Sequence, residues 1–324
     1  MGKRSQVFCV SFAVIALSLI AIPNGLSQDK YPNRPITFLI PFAAGGSTDV
    51  MFRPLLDAAS KIIGQPLVVV NKPGASGTLA PASMKTARAD GYTLSSCTNN
   101  LMLVSYMEDV GYDPLNDFTY IIRLYCSTFG IAVKSDSPWK TLKDLVEYAK
   151  QHPNEIKYST SSPGGPHHFA MEDIARKEGL KWNIVPYPSG GNATMALLGG
   201  HVQVTSQDSS WAPQYHAGKI RILATFGDER SSYLPNVPTL KELGYRSWSS
   251  PNGIAGPANM DKNIVKILHD TFKKAMVDPV FNKTLGNMLV SPCYLNTEDY
   301  NRYVREVAPV LKDAVRMVGL EKKK

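Results

Sequence analysis

Apolar residues along this chain follow two rhythms in turn. Short runs rich in Ile, Leu, Val and Phe have the length and composition of strands. Between them lie longer stretches in which apolar residues recur every three or four positions, as on one face of a helix. Residues 36–42, Ile-Thr-Phe-Leu-Ile-Pro-Phe, form the first run, and residues 67–72 the second. Runs at 92–97, 118–125, 129–133, 156–160, 183–187, 201–206 and 220–226 predict further strands. Helical spacing follows the first run at Val50, Leu55, Leu56, Ala59 and Ile63, with Gly64 as its stop. Helices are also predicted over 77–87 and over 166–177, the latter ending near Gly179. Thr141 is the predicted N-cap of another, with Asp144 at its third position. The turn at 188–192 opens a helix that carries Met195, Leu197 and Leu198. From about residue 260 the chain reads as mostly helical. Ile264, Ile267, Leu268, Phe272 and Met276 form one stripe, and Tyr300, Val304, Val307, Leu311, Val315 and Leu320 another. Such stripes are what core-facing helices carry.

Strands alternating with helices predict an α/β protein of βαβ units, each sheet mostly parallel and flanked by helices. The first two strands run into Gly-rich turns, Ala43-Ala44-Gly45-Gly46-Ser47-Thr48-Asp49 and Pro73-Gly74-Ala75-Ser76-Gly77-Thr78. A third such turn, 161–168, follows the strand at 156–160. These turns lie at the carboxyl ends of strands, where open parallel sheets bind ligands. Each presents unpaired backbone N–H groups at a helix N-terminus, where the helix dipole favours an anion.

The N-terminus is predicted to be removed. Lys3 and Arg4 precede an apolar stretch from Val7 to Ile22, and Gly25 and Ser27 are small residues suited to cleavage before Gln28. This is the pattern of a secretory signal peptide over residues 1–27. The apolar stretch falls short of the ~20 residues of a membrane span. The net charge of +8 falls by two, to +6, without Lys3 and Arg4. A mild positive balance suits an acidic small molecule. The lysines at 322–324 read as a solvated tail, and no nucleic-acid partner is expected. About 297 residues remain, enough for two α/β domains. Cys97, Cys126 and Cys293 show no metal-type spacing. A Cys97–Cys126 disulfide is one reading in an oxidising compartment, and buried free thiols are the other. No cofactor or metal is expected.

The motifs together resemble a known family. Tyr31-Pro-Asn-Arg-Pro-Ile36, the turn 41–49 and Asn71-Lys-Pro-Gly-Ala-Ser-Gly77 are similar to those of the Bug family, the extracytoplasmic solute receptors of tripartite tricarboxylate transporters. The likeness continues through Asp90-Gly-Tyr-Thr-Leu94, Tyr187-Pro-Ser-Gly-Gly191, Leu198-Gly-Gly200, Ala217-Gly-Lys-Ile-Arg221 and Leu234-Pro-Asn-Val-Pro-Thr-Leu240, in order across the chain. The resemblance implies a two-lobed, periplasmic-binding-protein-like (Venus flytrap) receptor that closes on its ligand. It implies one lobe from residues 28–130 plus 254–324 and a second, 131–253, inserted between them. It also implies a periplasmic location, a small carboxylate ligand and membrane transporter subunits as partners; a monomer is expected. In the family the first two loops hold a ligand carboxylate through backbone groups and bound waters, and a second-lobe loop faces them. Carried over, the first-lobe contacts are Phe42, Gly45, Gly46, Ser47, Thr48, Ala75, Ser76, Gly77 and Thr98. The facing contacts are Ser161, Gly164, Gly165, His168, Tyr187 and Asp208.

Two positions depart from the family pattern. Gln203 stands where an acid is common, and the next strand end reads Ser206-Gln-Asp-Ser209. Each candidate also has a structural reading. Gly45-Gly46-Ser47-Thr48 lacks the Lys of a nucleotide-binding P-loop, so anion contact competes only with a simple tight turn. Asp49 reads equally as a first-turn acid or a ligand-facing one. Lys72 steers an anion or is simply solvated. His167 and His168 are adjacent on a helix and cannot chelate one ion as an i, i+4 pair does. Ser47, Ser76 and Ser161 lack a nucleophile elbow. Asp208 is placed to accept a ligand amine or hydroxyl. Trp211 and Tyr187 wall an aromatic ligand or fill the second lobe's core. The expected activity is binding, not catalysis. The competing readings are a receptor for a membrane signalling protein and a secreted hydrolase of small acids.

Overall fold

The computed structural model describes residues 31–322. The predicted signal peptide lies outside the described residues. From the N-terminal side the elements run β1 (Ile36–Ile40), α1 (Ser47–Ile63), β2 (Leu67–Asn71), α2 (Leu79–Lys85), β3 (Thr93–Thr98) and α3 (Asn100–Met107). β4 (Phe118–Ser127) leads directly to β5 (Gly130–Lys134). Then come α4 (Leu142–Gln151), β6 (Lys157–Thr160), α5 (Pro166–Glu178), β7 (Asn183–Pro186), α6 (Gly190–Leu198), β8 (Val204–Gln207), α7 (Ala212–His216) and β9 (Ile220–Thr225). β10 (Ser250–Pro257), α8 (Lys262–Ala275), α9 (Pro279–Asn287), β11 (Ser291–Leu295) and α10 (Thr297–Met317) complete the chain.

The strands form two sheets. The first has the order β11-β4-β10-β3-β1-β2 and the second β7-β6-β8-β5-β9. The sheets are mixed rather than mostly parallel. β1 pairs parallel with β2 and β3, and β6 parallel with β7 and β8, as the βα rhythm predicts. β4, β5 and β10 pair antiparallel with all their neighbours. These are the strands by which the chain passes between the sheets, so no crossover helix dictates their direction. Only Thr128 and Phe129 separate β4 in one sheet from β5 in the other.

Sequence patterns explain most elements. α4 starts with a capping box: Asp144 N–H donates to Thr141 Oγ1 at 3.1 Å, and Thr141 N–H to Asp144 at 2.9 Å. α1 and α5 end on Gly64 and Gly179, both left-handed. Phe38, Phe52, Leu268, Phe272 and Phe281 are fully buried where α1, α8 and α9 cover one face of the first sheet. α3 and α10 cover the other face with Leu101, Leu103, Tyr300, Val304 and Val315, and that core continues to Phe129, Ile131 and Phe169. Leu197, Trp211, Ile220 and Ile222 form a third cluster beneath α6.

Three expectations change, and one strand is unforeseen. The helix predicted over 77–87 is a 3-10 turn at Ala75–Gly77 followed by α2, because Ala75, Ser76 and Gly77 all take positive φ. The strand predicted from His201 begins at Val204, because Gly200 and His201 spend their N–H groups capping α6, on Leu197 O and Ala196 O. β10 carries no apolar run, yet every residue of it is buried. A Cβ on its Gly253 would lie 2.6 Å from Ile122 O, so only glycine allows the close approach of β4. The disulfide joins Cys126 to Cys293, not to Cys97. Cys97 is a buried free thiol whose pKa burial pushes up to about 12.

Candidate functional site

A cavity of about 70 Å³ lies between the carboxyl ends of the two sheets. From the first-sheet side it is lined by Phe42, Gly46, Ser47, Thr48, Thr98 and Asn100. Ser161, Ser162, Pro166 and His167 face them, with the turn Pro188-Ser189-Gly190 and Asp208. Ser127, Phe129, Ser250 and Asn252, from the strands that pass between the sheets, form the floor.

Helix starts dominate this wall. Gly46-Ser47-Thr48 begins α1, Asn100 begins α3, Pro166-His167 begins α5 and Ser189-Gly190 begins α6. No side chain caps α1, α3 or α5, whereas Ser189 Oγ accepts from Asn192 N–H in α6 at 3.2 Å. The Ser47 and Thr48 N–H groups of α1 and the His167 N–H of α5, whose first residue Pro166 has none, therefore stand at the cavity without a capping oxygen, while Asn100 N–H of α3 donates to Thr98 Oγ1 at 3.3 Å; free N–H groups at helix starts suit an anion. Buried polar atoms add to it. His167 Nδ1 and Nε2, Asn100 Oδ1 and Asn252 Oδ1 are buried without a hydrogen-bond partner. Such atoms are rare in a folded protein and mark where a further group can bind.

Among the described residues, no cationic side chain lines the cavity. His167 packs against Phe129, and its pKa falls to about 3 through burial and then the neighbouring His168, so the ring is neutral. Asp208 is the one acid of the lining. Its Oδ1 accepts from Ser210 N–H at 3.1 Å and its Oδ2 from the Ser47 hydroxyl, a bridge between the two sides. Asn100 Nδ2 likewise spans the sides, donating to Ser76 O and to Ser162 Oγ. Gly190 must lack a side chain, since a Cβ there would sit 2.9 Å from Ser210 Cβ and 3.0 Å from Asp208 Oδ1.

Of the residues singled out in sequence, Phe42, Gly46, Ser47, Thr48, Thr98, Ser161 and Asp208 line the cavity. Gly45, Ala75, Ser76, Gly77, Gly164, Gly165, His168 and Tyr187 stand behind or beside it. Gly45 N–H donates to Asp49 Oδ2 at 2.9 Å. The 75–77 turn packs on Phe42, and Ser76 Oγ donates to Pro163 O at 3.2 Å. Gly164 N–H donates to His168 Nδ1 at 3.0 Å, which leaves the His168 proton on Nε2, and burial lowers that ring's pKa to about 4. Gly165 is the N-cap of α5, and Tyr187 packs against the cluster beneath α6.

The open alternatives also resolve. Asp49 is a staple of the first loop: burial acts to raise its pKa, but hydrogen bonds from Arg53, Gly45 N–H and Asn71 outweigh it and hold it below the usual value. Lys72 Nζ donates to Ser83 Oγ at 2.7 Å. Trp211 is fully buried, its indole donating to Gln207 O at 3.1 Å. Ser47, Ser76 and Ser161 donate to Asp208, Pro163 O and Gln207 Oε1. No group of metal-ligating side chains occurs among the described residues.

Several lining residues escaped the sequence reading. Asn99-Asn100 follows β3 just as the first Gly-rich turn follows β1, so the strand–turn–helix pattern was present there too. Ser127, Ser250 and Asn252 lie in crossing strands with no motif around them.

Comparison with known proteins accords with this geometry. A family described as tripartite tricarboxylate transporter family receptor matches residues 51–320. The UPF0065 protein in the gbd 5' region of Cupriavidus necator is 40% identical over 314 residues, covering 97% of this chain and 96% of that protein. The structure of the periplasmic binding protein BugD matches with a TM-score of 0.83 at 26% identity, over 90% of this chain and 100% of its own. An R. palustris protein solved with adipate matches with a TM-score of 0.83 at 27% identity, over 89% of this chain and 98% of its own. The two-lobed α/β architecture is thus that of periplasmic binding proteins. Its matched span and its relatives place the chain in one family: it belongs to the receptors of tripartite tricarboxylate transporters.

Proposed function

We propose that this protein is a periplasmic receptor that captures a small carboxylate between its two lobes and presents it to the membrane subunits of its transporter. The observation that carries this reading is the meeting of the free first N–H groups of α1 and the free His167 N–H of α5 on one cavity, beside buried polar atoms without partners. One lobe is built on the first sheet, residues 31–127 plus 250–322, and the other on the second, residues 130–249. A ligand carboxylate sits on the α1 start at Gly46-Ser47-Thr48, with Ser161 and Thr98 beside it. The Gly45, 75–77 and 164–168 segments hold those loops in place. Asp208 accepts from a hydroxyl, an amine or a protonated carboxyl at the ligand's other end. The R. palustris relative solved with adipate supports a small organic acid. The protein acts by closure alone, as a monomer, without chemistry on its ligand: the bonds Ser47–Asp208, Asn100–Ser162 and Ser76–Pro163 join the two lobes, and opening the cleft breaks them.

The test is thermal unfolding of the refolded protein, residues 28–324, with succinate, adipate, citrate, glutamate and benzoate. A ligand at a hundred times its Kd adds about 2.7 kcal/mol to the stability. The expected result is a saturable rise in Tm with one or a few of these acids, lost in Gly190→Val. No rise with any acid, or a rise that survives Gly190→Val, overturns the reading.

A further inference from the structure

Behind the cleft lies a second cavity, of about 380 Å³. The two share a wall, because neighbouring residues face opposite sides of it. Ser127 lines the cleft and Cys126 the rear cavity; Ser250 and Ser249 divide in the same way, as do Asn100 and Asn99. Pro166, at the start of α5, touches both. Alternation along β4 and β10 produces this arrangement.

The rear cavity has the charge the cleft lacks. Arg123 on β4 is half-buried. Its Nε donates to Cys293 O at 2.7 Å, and its guanidinium lies 4.9 Å from the centre of the Tyr303 ring. Its terminal amino groups have no protein acceptor among the described residues. Burial lowers its pKa, as expected of a desolvated cation without a counter-ion. Arg246 lies 5.7 Å over the Trp248 ring, and one of its terminal nitrogens reaches only Met317 Sδ, at 3.7 Å. Neither arginine has a carboxylate partner among the described residues. Asp228, at the exposed rim, is engaged by Ser247 Oγ at 2.6 Å and stands 4.0 Å from Lys241 Nζ. Trp248 itself is 4% exposed, and its indole N–H has no acceptor. The opposite wall is apolar, formed by Val307, Leu311 and Ala314 of α10.

We propose that this rear cavity is a second binding site, for a monocarboxylate with a compact apolar body. The carboxylate sits on Arg123 and Arg246, and the body lies against α10. Two cations define the polar end, and planar guanidinium groups match a carboxylate's two oxygens. An inorganic anion satisfies the arginines but leaves the α10 wall without a partner. The proposal does not rest on the reading of the cleft.

The experiment uses the refolded protein and para-bromobenzoate, followed by calorimetric titration and by the bromine's anomalous scattering in crystals. The expected result is a bromine site in the rear cavity and a Kd raised about tenfold or more by Arg246→Gln, through loss of a charge-assisted pair. Arg123→Gln, which removes the second cation, acts in the same direction. Gly190→Val, whose side chain overlaps Ser210 and Asp208 at the cleft, leaves the Kd unchanged; unfolding curves confirm that each variant is folded. Bromine in the cleft alone, no binding below about 10 mM, or an unchanged Kd in folded Arg246→Gln overturns the proposal. Phosphate binding as tightly, with the same loss in Arg246→Gln, overturns the assigned ligand class.

Discussion

The cleft and the rear cavity lie on opposite sides of the same strands, and they accommodate negative charge by opposite means. Among the described residues, the cleft has no cationic side chain. It offers helix N-termini, hydroxyls and amides, all fixed by the backbone, with one acid among them. The rear cavity offers two arginines, an acid at its exposed rim and an apolar helix face. Oriented backbone dipoles are neutral overall and need no counter-ion when the cleft is open to water, whereas unpaired guanidinium groups attract any anion in reach. A site that must open, discriminate and release gains from the first design. Its selectivity then resides in short-range hydrogen bonds and in the shape that Gly190 permits.

That contrast can be broken in graded ways. The largest effect is expected in the wall itself. The Cys126–Cys293 disulfide closes a loop of 167 residues and borders only the rear cavity. Replacing both cysteines by serine is expected to lower stability by about 2–5 kcal/mol, measured by urea unfolding. Unchanged stability would show that the wall is held by strand pairing alone.

Acid attacks the cleft side. His167 and His168 have folded pKa values of about 3 and about 4, below the ordinary 6.5. The unfolded chain therefore takes up protons near pH 6.5 that the folded protein refuses until pH 4 or below, so stability falls as pH drops through that window. By pH 5 each ring is expected to contribute a loss on the order of 2 kcal/mol. His167→Phe removes one ring's share, and denaturant unfolding at pH 7 and pH 5 reads the difference. An identical pH slope in that variant would show that His167 is protonated in the folded protein and that the cleft does hold a cation.

A smaller effect sharpens the comparison at equilibrium. Raising salt from about 0.05 to 0.5 M shortens the screening length to a few ångströms. Carboxylate affinity in the cleft is expected to change less than about threefold, while para-bromobenzoate in the rear cavity weakens more, since its partners are full charges. Equal salt slopes, measured by titration calorimetry, would mean that the two sites do not differ in the way their linings suggest.

The parts of the fold legible in sequence are those whose information is local. α1 and α5 could be placed to within a residue or two, and α4 could be given its start, because spacing, caps and the glycines that stop α1 and α5 are local signals. The first Gly-rich turn led to Gly46, Ser47 and Thr48, and the second-sheet turn to Ser161. The 75–77 turn looked equivalent to the first, but its run of positive φ turns it onto Phe42 and Pro163. Nothing in its composition distinguishes the two. β10 was invisible because Ser-Pro-Asn-Gly-Ile-Ala-Gly-Pro has no apolar periodicity; small residues are needed where β4 and Tyr300 press against it.

The sequence by itself determined the α/β rhythm and the helix starts that follow strands, and hence the edge of the molecule on which the cleft lies. Those properties depend on neighbours a few residues apart. Only the tertiary structure decided that Cys126 meets Cys293, that Asp208 reaches Ser47 across the cleft, and that Arg123 and Arg246 share a cavity. Each of these pairs lies more than a hundred residues apart in the chain. They are brought together where β4 and β10 pass between the sheets, and the direction of those strands is set by packing, not by any local pattern.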